Sequence, residues 1–210
     1  IDNVARKRSL AQSEERAQID VSNIKSITVN KSASNAAVTG TREIGRSSLE
    51  CVYKAVAPER GNEQEPVRMK EDRMILQTGG AVSKFYSYYN FAKDSLLKAD
   101  PNNALKAVEH KNGTAACLYT GYPEAGRLTL TDAVASTYYT YEDKVPQIKW
   151  TIGDQTREIL GYKCRRADCD LYGRHFTAWF TDEIPVASGP WKLHRSKRSV
   201  SEFTSEIYNR

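Results

Sequence analysis

The chain has 210 residues, 40% hydrophobic and 27% charged, with a formal charge of +5 at pH 7 and a mean hydropathy of −0.62. That length suffices for one well-filled core with extensions, and no apolar run reaches the ~18 residues that a membrane-spanning helix needs. Lys and Arg are interspersed with carboxylates and do not gather into a basic stripe, which points away from nucleic acid as a partner.

Residues 1–48 read as an N-terminal extension. A start at Ile1 is what a removed signal peptide leaves, as would any other trimming of the terminus, so export is expected. The charged stretch Val4 to Ile19 predicts a short helix, and Ile24 to Val29 a β-like run. The Ser-, Ala-, Thr- and Asn-rich sequence that continues to Ser48 is expected to order only against another surface.

A strand pattern begins at Leu49. Leu49, Cys51, Tyr53 and Ala55 share one face at a period of two, and a polar loop follows around Arg60–Pro66. Asp72–Gln77 and Ala81–Tyr89 form a predicted hairpin across Thr78-Gly79-Gly80, because glycine supplies the positive φ of a tight turn. Asn90 is placed to cap a short helix to Lys98, which Asp100-Pro101 ends.

Further strands are predicted at Thr114–Thr120, Arg127–Thr131, Thr137–Tyr141 and Gln147–Ile152, with a turn at Tyr122–Gly126. A last hairpin joins Gly161–Asp170 to Arg174–Thr181 through Leu171-Tyr172-Gly173. Short strands with little helix predict a mainly β fold, an antiparallel twisted sheet or half-barrel with one or two short helices. The β-rich domain is expected over residues 49–194 and a charged tail over 195–210.

The cysteines are Cys51, Cys117, Cys164 and Cys169. An even count fits an oxidising compartment. On one continuous strand Cys164 and Cys169 would lie roughly 16 Å apart, too far for a disulfide. Crossed pairs, with Cys51 and Cys117 each meeting one of Cys164 and Cys169, are therefore the expected disulfides, against an alternative of four buried thiols. No C-x-x-C pair or His cluster suggests a zinc site, and no metal or cofactor is expected.

Catalytic signals are sparse. His110, His175 and His194 lack metal-ligand spacing, and His175 reads as a structural histidine on a strand. Asp182 and Glu183, adjacent carboxylates near Trp179, could serve acid–base chemistry, but Pro185 beside them reads as an ordinary turn. No catalytic residue is assigned. Binding has more support, because Phe85, Tyr86, Tyr88, Tyr89 and Phe91 crowd seven positions and Tyr138, Tyr139 and Tyr141 form a second cluster. Tyr and Trp join apolar area to a polar tip. Tyr86, Tyr88, Tyr89, Trp179 and Trp191 are the candidate binding residues, with a doubly packed strand and a core plug as the structural alternatives.

The segment Gly161 to Lys192, GYKCRRADCDLYGRHFTAWFTDEIPVASGPWK, resembles the signature of the GLPGLI family of exported Gram-negative envelope proteins. Lys84-Phe85-Tyr86-Ser87-Tyr88 followed by Asp94-Ser95-Leu96, and Trp150 ahead of the last hairpin, match that family's order. The family's G-L-P-G-L-I stretch is absent: Gly189-Pro190-Trp191-Lys192-Leu193-His194 runs directly into Arg195-Ser196-Lys197-Arg198, as if a further segment belonged between His194 and Arg195. The resemblance implies an exported protein, periplasmic, outer-membrane-associated or at the cell surface. A noncatalytic binding or assembly subunit whose partners are other envelope or outer-membrane proteins is the expected function. A hydrolase of peptides or glycans, or a carrier of a small apolar ligand, are the alternatives.

Overall fold

The structure, a computed structural model, describes residues 2–7, 27–30, 41–59, 68–100, 102, 111–134, 137–184, 186–194 and 199–207. Its strands are β1 (Asp2–Lys7), β2 (Ile27–Asn30), β3 (Thr41–Gly45), β4 (Leu49–Glu59), β5 (Arg68–Gly79), β6 (Val82–Ser87), β7 (Cys117–Thr120), β8 (Arg127–Val134), β9 (Thr137–Lys144), β10 (Thr151–Ile159), β11 (Tyr162–Leu171), β12 (Arg174–Thr181) and β13 (Ser199–Ile207). One helix, α1 (Tyr88–Ala99), follows β6. An unclosed 11-stranded sheet runs β10-β11-β12-β13-β1-β4-β5-β6-β7-β8-β9, and β2 and β3 form a small second sheet. All pairings are antiparallel. The protein is thus mainly β and antiparallel.

Turn chemistry fixes the hairpins. Gly79 pairs with Val82, and Gly80 takes φ 60° in the turn between them. Gly79 is needed for space, because a Cβ there would lie 1.8 Å from the Arg46 carbonyl oxygen. Tyr172 and Gly173, at φ 52° and 74°, form the two-residue turn that sets Leu171 opposite Arg174.

Burial follows the pleat. Cys51 and Tyr53 on β4, Met74 and Leu76 on β5, Phe85 on β6, Leu118 on β7 and Leu128 and Leu130 on β8 build one core cluster, with Val145 and Trp191 packed against it. A second cluster gathers Cys169 of β11, Phe176 and Ala178 of β12 and Leu193, flanked by Ile148 and Trp150. The loop 186–194 carries Trp191 to the first cluster and Leu193 to the second. Residues Met74–Thr78 are buried on both faces; α1 lies against β5 and β6, and β2 reaches β6.

Several boundaries differ from expectation. Val4–Lys7 belong to strand β1, paired with β4 throughout and with β13 at Val4, where a helix was expected; residues 8–19 lie outside the described residues. The hairpin arm expected to reach Tyr89 stops at Ser87, whose hydroxyl accepts from the Asn90 N–H at 3.4 Å and so starts the helix at Tyr88. The strand expected over Gln147–Ile152 runs instead over Thr151–Ile159. No helix among the described residues is long and apolar enough to cross a membrane.

Candidate binding surfaces

The five aromatic candidates fall in different places. Tyr86 is buried, edge-on to Phe91 of α1 at 5.6 Å, with the Lys84 ammonium 4.7 Å from its ring centre. Burial, then the nearby Glu50 and Cys117, push its phenol pKa up. It packs the sheet against the helix. Tyr88 and Tyr89 open α1 and meet edge to face at 6.0 Å, the Arg73 guanidinium lying 5.3 Å from the first ring and the Lys111 ammonium 5.9 Å from the second. Trp191, at φ 55°, packs half-buried against the core.

Trp179 stands on β12 beneath the Arg157 guanidinium at 4.1 Å. The same face carries a polar network. Asp168 accepts from the Thr177 hydroxyl at 2.6 Å and from Arg166 Nη2 at 3.0 Å. His175 Nδ1 lies 2.9 Å from Asp170 and its Nε2 3.7 Å from Asp168. Burial works to raise the Asp168 pKa, but Thr177, Arg166 and His175 outweigh it and hold the carboxyl below its ordinary value.

Asp182 and Glu183 follow the opposite end of β12. At about 3.3 Å per residue, Asp182 and His175 are separated by roughly 23 Å along the chain. The strand therefore keeps His175 apart from the two carboxylates. His194 is partly buried, its Nδ1 3.1 Å from the Lys192 carbonyl oxygen, and burial lowers its pKa. His110, Pro185 and Arg195–Arg198 lie outside the described residues.

The crossed disulfides are not formed: no disulfide joins any of the four cysteines, all of which are described. Cys51 and Cys169 belong to separate core clusters, while Cys164 and Cys169 share one strand. Among the described residues no group of His, Cys, Asp and Glu could hold a metal.

The second aromatic cluster is exposed. Tyr138, Tyr139 and Tyr141 of the edge strand β9 are 69%, 52% and 44% exposed, and Tyr172 of the β11–β12 turn is 63% exposed. Leu130 and Tyr141 are cross-strand partners, as are Asp132 and Tyr139. Leu130 points into the core, so Tyr139 and Tyr141 occupy the inward-facing side of the edge and Tyr138 the outward side. The Lys192 ammonium lies 5.5 Å from the Tyr141 ring centre and 5.0 Å from that of Tyr172, and donates to the Tyr141 hydroxyl at 3.3 Å. Curling of the sheet brings these three elements together. Sequence reasoning found the β9 tyrosines but not Tyr172 or Lys192, since no local spacing links them.

No family model matches the sequence, and no curated protein matches it. Two solved structures of PNGF-II show a distant similarity to part of it. One, in space group C2, has 10% identity and a TM-score of 0.42 over 68% of this chain. The other, in space group P21, has 12% identity and a TM-score of 0.41 over 67% of this chain. The chain spans about a quarter of those proteins, 26% and 25% of their lengths.

Proposed function

We propose that this protein is a noncatalytic, exported binding or assembly subunit of the bacterial envelope, contacting other envelope or outer-membrane proteins. The observation that carries the reading is the exposed pair Tyr141 and Tyr172 around Lys192, with exposed Tyr139 on the same side of β9 as Tyr141. Tyrosines supply large contact area at small entropic cost and are enriched where proteins meet. Tyr139 and Tyr141, on the edge strand β9, sit beside backbone groups that a partner strand can use. The resemblance of Gly161–Lys192 to the GLPGLI signature supports the compartment and the class of partner.

The test is affinity purification from the native envelope with the unaltered chain and with a Tyr139→Ser/Tyr141→Ser/Tyr172→Ser variant. The unaltered chain is expected to retain a protein that the folded variant loses. Equal capture by both would remove the tyrosines from the interface and the reading with them.

A further inference from the structure

At the far end of β12 from His175, the chain forms an open cleft of about 280 Å³ lined by Lys163, Arg165, Phe180, Asp182 and Glu183. Lys163 and Arg165 are two residues apart on β11 and share a face, and Arg165 stands opposite Phe180 across the β11–β12 ladder. Neither cation is ion-paired among the described residues.

The remaining polar lining, Asp182 and Glu183, is anionic. The Glu183 N–H donates to the Thr181 hydroxyl at 3.2 Å, which fixes the start of the turn. Glu183 Oε1 accepts from the Lys163 backbone N–H at 3.1 Å, which holds its carboxylate at the cleft wall. Phe180, buried, closes the floor.

These walls select by charge. Two cations alone would suit a phosphate or sulfate, but the carboxylates of Asp182 and Glu183 repel a dianion placed between them. A ligand with both signs at its two ends is favoured against both walls. The volume, about 280 Å³, falls just below the ~300–1,000 Å³ typical of ligand sites, which suits a small ligand.

We propose that this cleft binds a small free α-amino acid, its carboxylate held by Lys163 and Arg165 and its ammonium by Glu183. The site is separate from the tyrosine surface and stands whether or not that surface binds a protein.

Backbone-amide NMR titrations of the full chain with L-alanine, N-acetyl-L-alanine, L-alaninamide and inorganic phosphate test it. L-Alanine is expected to move the Lys163, Arg165 and Glu183 signals saturably. The two half-charged analogues and phosphate should bind at least about tenfold more weakly, the loss expected for one charged hydrogen bond. Arg165→Gln and Glu183→Gln should each weaken L-alanine by a similar factor, and the exposed Lys163→Gln serves if either variant fails to fold. Absence of saturable shifts at these residues, or binding of N-acetyl-L-alanine or phosphate as tight as that of L-alanine, would overturn the proposal.

Discussion

Ser87 and Asp72, fifteen residues apart on neighbouring strands, share a hydrogen bond of 2.9 Å beneath the first turn of α1. The Ser87 hydroxyl also accepts from the Asn90 N–H. The other Asp72 oxygen accepts from the Thr114 N–H at 2.6 Å, and the Asn90 side-chain oxygen accepts from the Gly113 N–H at 3.1 Å. One buried carboxylate thus ties β5, the end of β6, the helix start and the segment before β7. Ser87→Ala removes the cap and leaves Asp72 short of a donor, so a loss of about 2 kcal/mol is expected in urea unfolding. Gly113→Ala should cost more, since its Cβ would lie 1.7 Å from the Ser87 hydroxyl oxygen.

The central place of β1 carries its own expectation. Asp2–Val4 pair with β13 on one side and Asn3–Lys7 with β4 on the other. Removing residues 1–7 would break the sheet between two blocks of strands and leave two edges unpaired. Thermal unfolding of the truncated chain should lose its single cooperative transition or shift strongly downward. An unchanged melting curve would show that β1 contributes nothing to stability.

Asp168 makes the stability of the fold depend on acid. Its folded pKa is depressed, so the stabilisation is fully present above the unfolded carboxyl pKa of about 3.9 and is lost as pH falls through the folded value. Thr177→Val should be less stable than the unaltered chain at pH 7. The difference should shrink as pH falls below about 4, where the unfolded and then the folded carboxyl protonate. Guanidinium unfolding of both chains across that range measures it; a constant difference would place the effect of Thr177 elsewhere.

Burial, helped by Asp170 and Asp168, pushes the Cys169 thiol up to about 12, and burial also pushes Cys117 up. Thiolate is the reactive form, so both should resist alkylation at pH 8 in the folded protein. All four cysteines should react in denaturant without any reductant. Alkylation followed by intact-mass measurement counts them, and an uptake below four groups would reveal a disulfide.

The legibility of the sequence tracks how local the determining physics is. Strand β12, Arg174–Thr181, was readable to the residue because Tyr172-Gly173 bounds it on one side and the inward Phe176, Ala178 and Phe180 alternate along it. The start of α1 was not, because Tyr88 and Tyr89 look like strand residues until the Ser87 cap is seen. Strand β1 has no apolar alternation to mark it and is specified by partners distant in sequence. The same non-locality hid the Tyr141–Lys192–Tyr172 group and the charged walls of the β11–β12 cleft. Expected disulfides failed for the converse reason: parity and compartment constrain which cysteines could pair, while position in the sheet decides whether they meet.

The sheet order has a consequence in simple parity. Every step between neighbours reverses direction, and the sheet has 11 strands, so its outermost members, β9 and β10, point the same way. They cannot zip to each other as an antiparallel pair, however tightly the sheet curls. The chain between them, residues 145–150, must retrace the length of a strand to begin β10 at the correct end. It runs with Ile148 and Trp150 half-buried and Gln147 and Lys149 exposed, an alternation like a strand's. Gain or loss of a whole hairpin would leave the mismatch as it is, because two strands do not change an odd count to an even one. Only a change by a single strand would let the ring close through an antiparallel pair.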